Sequence, residues 1–332
     1  NKLGEFRQAA ELYQQTLTIR AEVGDRLGEA ITLGNLGSAY HSLKAYPQAL
    51  GFYQRSLGIA RSLGDRQTER VILANMGHLF REQSQPDLAI AFYKQSVNVT
   101  EAIRKDLRSL SRQDQESYTQ TVATTYRNLA DTLLSKGRVA EAQQVLELLK
   151  VQELQDFTEE VASTAEKPGV TIAPVEAAIL QENGSLIAFG QKVEQCQRTQ
   201  CPQLPQLVSQ LQALNQQYDQ TVQSFEKEIQ QRLKNDPSSL DPAILPGLKN
   251  LVESQPDTVL IYPLVLKDKI WLLMAARGGV VKRYEVPVEE AELGQAVLKF
   301  RRLVQDRRFR PKGAQEAGQQ LYNWLVSPLE QE

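Results

Sequence analysis

The chain repeats itself. A shift of 40 residues superimposes Gly4-Glu5-Phe6 on Lys44-Ala45-Tyr46 and on Ser84-Gln85-Pro86, and the register then holds through Ala9, Ala49 and Ala89, Tyr13, Tyr53 and Tyr93, and Leu17, Leu57 and Val97. It still holds at Ile19, Ile59 and Val99. Ahead of these segments stand Asn35-Leu36-Gly37-Ser38-Ala39-Tyr40 and Asn75-Met76-Gly77-His78-Leu79-Phe80, again 40 apart, and a third copy, Asn128-Leu129-Ala130, follows 53 residues later. Within each unit the apolar residues recur at spacings of three and four, with turn residues between the runs, which predicts two helices per unit. No such hairpin can bury its apolar face alone. Stacked neighbours must complete the core, so the repeat predicts a helical solenoid with a continuous concave surface.

Gly37 and Gly77, with Ala49 and Ala89, are small enough to let paired helices approach, while Tyr40, Phe80, Tyr53 and Tyr93 fill the space between units. Leu36-Gly37 followed by Tyr40, Ala49 and Tyr53 resembles the tetratricopeptide repeat. The period exceeds the usual length of about 34 residues, which implies longer helices, similar to those of kinesin-light-chain-type repeats, turning at Gly24-Asp25-Arg26 and Gly64-Asp65-Arg66. The third unit diverges. Leu133 and Leu146 replace aromatics, and the extra residues before Asn128 are expected to lengthen a hairpin carrying Arg104, Leu107, Leu110 and Tyr118, as suits a capping repeat. The array is expected over residues 1–157.

The first helix of each unit lines the concave groove in the resembled architecture. Asn35, Asn75 and Asn128 recur there. A side-chain amide both donates and accepts, so a ladder of them can pair with the backbone of an extended peptide of any sequence. The resemblance implies that use. The alternative is that these asparagines bond neighbouring helix ends. His41, His78, Arg81, Arg127 and Asp131 fall near the same face and complete the candidate groove. A zinc site built on the two histidines fails on ligand count, since no cysteine lies nearby in sequence. Neither a metal nor a cofactor is expected.

Residues 158–174 lose periodicity around Pro168-Gly169 and Pro174 and read as a linker. A helix broken at Asn183-Gly184 is expected over 175–197, then a long packed helix whose stripe runs Leu204, Leu207, Leu211, Leu214, Tyr218, Val222, Phe225, Ile229 and Leu233. Cys196 and Cys201 allow a local thiol pair, but they read first as ordinary helix-end cysteines. Three runs rich in β-branched residues follow, Val259 to Leu266, Ile270 to Arg277 and Val280 to Val286, with turns at Lys267-Asp268-Lys269 and Gly278-Gly279. They predict an antiparallel meander. Helices from about Val288 to Asp306 and Pro311 to Leu329 would cover it, giving an α+β unit.

Val259-Leu260-Ile261-Tyr262, Lys269-Ile270-Trp271-Leu272-Leu273, Val286-Pro287-Val288 and the helix from Leu321-Tyr322 to Pro328-Leu329 resemble the opening of a CHAT domain. Those are caspase-like peptidase domains associated with tetratricopeptide repeats, so residues 175–332 would be the N-terminal part of one. The family's catalytic histidine and cysteine lie on later strands, and no residue here matches either motif. No catalytic residue is therefore assigned. The chain starts at Asn1 on what matches a second repeat helix and stops at Glu332. Both ends look cut, and apolar surface is expected at each, including Leu12 and Leu17.

The fold class expected is thus mainly α, a tetratricopeptide solenoid followed by an α+β region with a small meander. Its expected function is a protein-interaction module whose groove holds a peptide or protein partner and couples it to a caspase-like CHAT domain. The alternative is part of an active CHAT cysteine peptidase whose histidine and cysteine lie beyond residue 332. Lys plus Arg number 38 against 40 Asp plus Glu, which gives no chain-wide attraction to nucleic acid or anionic lipid. The basic run Lys299, Arg301, Arg302, Arg307, Arg308, Arg310 and Lys312, interleaved with Phe300 and Phe309, reads as a solvated face. No apolar stretch is long enough to span a bilayer and no signal peptide is visible, so the expected address is cytoplasmic.

Overall fold

A computed structural model describes residues 2–107, 112–155, 169–235, 259–275, 281–305 and 311–330. The chain is mainly helical, with consecutive helical hairpins and a small three-stranded antiparallel sheet. Seven helices form the array: α1 (Lys2–Glu22), α2 (Arg26–Ser42), α3 (Tyr46–Leu63), α4 (Arg66–Glu82), α5 (Pro86–Leu107), α6 (Arg112–Ser135) and α7 (Val139–Gln155). Helices α2–α3, α4–α5 and α6–α7 are the repeated hairpins. Contacts divide the chain into two compact units, Asn1–Asp241 and Pro242–Glu332.

The 40-residue register reappears as repeated local chemistry. Asp25 and Asp65 cap α2 and α4, their carboxylates accepting from the N–H groups of Gly28 and Gln67. Within each hairpin the turn needs a left-handed residue, supplied by Lys44 (φ 59°), Ser84 (φ 59°) and, in the third unit, Gly137 (φ 81°). The Ser56 hydroxyl donates to the carbonyl of Ala30 at 2.7 Å, and Ser96, 40 residues on, donates to Arg70 at 2.7 Å. A Cβ added at Gly37 would stand 2.5 Å from the Tyr53 ring, and one at Gly77 would stand 2.7 Å from the Tyr93 ring. The small residues thus set how closely each aromatic crosses the first helix. Leu33, Leu36, Leu57, Leu73, Met76, Phe80 and Tyr93 form the buried spine of the array.

Beyond the array lie α8 (Pro174–Arg198) and α9 (Leu204–Asn235). Sequence reading grouped 175–235 with the C-terminal half. The compact units instead place both helices with the repeats, where α8 packs on α3 and α5, and α9 on α5. The reason lies in paired side chains distributed along α8. Glu176 meets Lys94 of α5, Asn183 accepts from Gln54 of α3, Glu194 pairs with Arg55, and Arg198 reaches Glu29 of α2. Helix α8 therefore runs back along the array, third hairpin to first. It is continuous through Asn183-Gly184, where sequence predicted a break, because the Asn183 amide is buried and bonded to Gln54. Just ahead of α8, Asn98 donates to the carbonyl of Val170 and accepts its N–H, so one side chain substitutes for a strand partner.

Cys196 and Cys201 are joined in a disulfide at the turn between α8 and α9, where sequence read two separate helix-end thiols. Their Cα atoms lie 5.0 Å apart, inside the ordinary span for such a bridge. On α1 Leu12 is 55% exposed, whereas Leu17, where exposed apolar surface was also expected, is buried with Ala10 against α2.

In the second unit β1 (Leu260–Val265), β2 (Ile270–Ala275) and β3 (Val281–Val286) make the meander, ordered β1-β2-β3 with Ile270 opposite both Val265 and Val286. Helices α10 (Glu290–Gln305) and α11 (Pro311–Leu325) follow, and a 3-10 turn covers Ser327–Leu329. Ile270, Leu272, Val286 and Val288 pack with Leu293, Trp324 and Leu325. On the other face of β2, Trp271 and Leu273 are buried too. Apolar exposure falls instead on Val259, Ile261, Val297, Leu298 and Val304. The expected linker 158–168, the Gly278-Gly279 turn and Arg307 to Arg310 lie outside the described residues.

Candidate protein-interaction face

The two sides of the array differ. The second helices carry a buried charged cluster that fastens α8 and α9. Lys94 pairs with Glu141 and, at 2.8 Å, with Glu176. Arg138 reaches the same two carboxylates, each at 2.6 Å, and Lys136 lies 2.7 Å from Asp87. Glu226 of α9 accepts the N–H groups of Asp87 and Leu88 at 2.6 and 3.0 Å, so it caps the start of α5. Burial opposes ionisation of Glu176, but Lys94 and Arg138 outweigh it and hold the carboxyl below its ordinary range. Glu226 goes the other way, pushed up to about 8 by burial and by its neighbour Asp87. The same shift favours the neutral form of Glu226 beside the three carboxylates Asp87, Glu141 and Glu176, which face the cations Lys94, Lys136 and Arg138. Sequence reasoning missed this cluster. Its visible sign was Lys94, a charged residue directly after the apolar run Leu88 to Tyr93 and in register with Gln54.

The first helices α2, α4 and α6 present the face singled out by sequence. Asn35 is exposed and Asn75 half-buried, and neither amide has a hydrogen-bond partner among the described residues. One turn earlier on the same helices lie Ile31 and Val71, 45% and 39% exposed. The structure gathers the other candidates into two linked groups. His41 Nε2 lies 3.0 Å from one Glu82 oxygen and His78 Nε2 lies 3.7 Å from the other, the two rings meeting edge to face at 5.2 Å. The Tyr46 hydroxyl donates to Glu82 at 3.4 Å. Next to them, Arg81 Nη1 approaches Asn128 Oδ1 at 3.5 Å and Asp131 at 3.6 Å, tying α4 to α6. Arg127 is exposed on α6. Glu82, the hinge of the first group, was not singled out by sequence. Its place four residues after His78, on the same helix face, was the available sign.

Two buried polar atoms lie under this patch without a hydrogen-bond partner among the described residues, the Tyr93 hydroxyl and His78 Nδ1. In the preceding hairpin the equivalent pair is satisfied, with Ser38 Oγ 3.2 Å from the Tyr53 hydroxyl. Burial pushes the Tyr93 phenol up to about 12, and burial, Arg81 and His41 together hold His78 below the ordinary histidine value against the pull of Glu82. No group of His, Cys, Asp and Glu among the described residues is arranged to hold a metal ion, and no described helix is long and apolar enough to cross a membrane.

Residues 1–62 match the tetratricopeptide repeat family. Repeats of this kind are generally protein-interaction modules. No curated protein matches the chain. Among solved structures, "Crystal structure of BtubC (BKLC) from P. vanneervenii" is 21% identical over 51% of this chain, with a TM-score of 0.37. The match spans 63% of that protein's length and is too loose to bear on the function of this one.

Proposed function

We propose that the face formed by α2, α4 and α6 binds an extended stretch of a protein partner. The observation that carries this is the pair Asn35 and Asn75, whose amides stand unpaired in the same register beside exposed Ile31 and Val71. A polar group left without a protein partner, next to accessible apolar surface, suits a peptide backbone with its side chains. The opposite side of the array is occupied by α8 and α9. Asn128, by contrast, lies within reach of Arg81 and so favours the helix-bonding alternative for the third position. The test starts from dodecapeptides selected from a random display library on the whole chain, each titrated by fluorescence anisotropy. Asn35→Ala with Asn75→Ala should weaken them at least fivefold at an unchanged melting temperature, and unchanged affinity would reject the face.

A second reading concerns the C-terminal unit. A meander followed by two helices is the order at the opening of a CHAT domain, and it supports coupling of partner recognition to a caspase-like domain. The alternative, an active cysteine peptidase, places its histidine and cysteine outside these 332 residues. Incubation of the reduced chain with unfolded protein and a thiol-reactive probe tests this assignment, because cleavage coupled to labelling of Cys196 or Cys201 would place a nucleophile inside these residues and overturn both readings. A cytoplasmic setting belongs to the same proposal and requires the Cys196–Cys201 disulfide to be reduced there. Counting free thiols in freshly lysed cells tests it, since a reducing compartment would hold the Cys196–Cys201 pair as dithiol.

A further inference from the structure

We infer that the partner of the α2–α4–α6 face carries a lysine or arginine that docks on Glu82. This rests on the proposed binding face and adds the chemistry of what it selects. Glu82 is 42% exposed at the end of the Asn35–Asn75 register, and its neighbours are two imidazoles and a phenol. Among the described residues no lysine or arginine pairs with it. Arg81, the adjacent cation, is directed to Asn128 and Asp131 instead. Elsewhere on the array two exposed acids are matched by permanent cations, Asp106 by Arg66 and Asp25 by Arg20.

The patch is also shaped to orient such a side chain. His41 and Tyr46 hold the Glu82 oxygen Oε2 and leave Oε1 with only the longer contact to His78. An incoming ammonium or guanidinium would supply the charge-assisted bond that the imidazoles supply weakly. The buried Tyr93 hydroxyl and His78 Nδ1 add unmet hydrogen-bonding capacity beneath the same spot. Ile31 and Val71, meanwhile, offer apolar contact along the register. The occupant that fits is an extended segment with apolar residues over Ile31 and Val71 and one basic residue toward Glu82. An acidic segment would bring like charge to Glu82 and Asp131.

The probe is the same dodecapeptide library selected on the whole chain. Enrichment of Lys or Arg at one fixed position is expected, and Glu82→Gln should weaken those peptides about two- to fivefold, the range of a partly exposed ion pair. Copies of the peptides with that residue replaced by norleucine should bind both proteins equally. Peptides that depend on Asn35 and Asn75 but carry no basic preference, or an acidic one, would overturn this inference and leave the binding face standing. Peptides indifferent to Asn35, Asn75 and Glu82 alike would overturn both.

Discussion

The two sides of the repeat array are built from the same periodic sequence yet end in opposite states. On the second-helix side, polar residues in register are consumed internally, Gln54 by Asn183 and Lys94 by Glu176. On the first-helix side, residues equally in register, Asn35 and Asn75, are left without partners. Periodicity alone therefore does not decide what a repeated polar residue does. What decides it is whether another element of the chain, here the α8–α9 hairpin, carries the complementary group at a matching spacing. Glu176 and Asn183 stand seven residues apart, two helical turns or about 10.5 Å along α8.

The sharpest way to break this contrast is to remove a charge from the buried cluster. Lys94→Ala would leave Glu141 and Glu176 with Arg138 alone in a buried setting, and breaking such a pair costs about 3 to 5 kcal/mol. Urea unfolding should show that loss, with hydrogen exchange rising first in α8 and α9. A smaller effect separates two glycines of the array. Gly77→Ala forces a Cβ against the Tyr93 ring and should destabilise by about 1 to 3 kcal/mol, whereas Gly51→Ala, where nothing lies within 4 Å, should be neutral or stabilise by up to about 1 kcal/mol. Asn183→Ala belongs in the same range as Gly77→Ala, because Gln54 would lose its bond at a buried site.

The hairpins, their turns and the close glycine–tyrosine crossings were legible because each is local or repeats at a fixed shift. The meander was legible too, its strands lying within the predicted runs. The docking of α8 and α9 was not. It depends on pairings such as Lys94 with Glu176 and Asp87 with Glu226, separated by 82 residues or more, which no periodicity encodes. For the same reason His41, His78, Arg81 and Asp131 could be placed on one face, while their convergence on Glu82 and on one another required the folded geometry.

The cluster also makes its side of the array sensitive to pH. Glu226 has a folded value near 8 against an ordinary 4.5, so the folded state holds an extra proton between those limits. Its contribution is then fully present below about 4.5 and is lost as pH rises through about 8. Melting temperature measured from pH 5 to 9 should decline more steeply in the wild type than in Glu226→Gln, which keeps the cap on α5 without the ionisation. Parallel curves would mean that Glu226 is ionised in the fold and that the cluster carries a net negative charge.

The smallest expected change is the most telling for the open face. Asn75→Ala removes an amide that bonds nothing among the described residues, so unfolding free energy should stay within about 0.5 kcal/mol of wild type, against the larger loss at Asn183. Both are asparagines within helices, and propensity treats them alike. Their burial and their partners differ. If Asn75→Ala destabilised the array as much as Asn183→Ala, the Asn75 amide would be serving the fold, and the first-helix face would lose its claim to hold groups in reserve for a ligand. If stability is unchanged while peptide affinity falls, the same residue type is structural on one side of the array and available for recognition on the other.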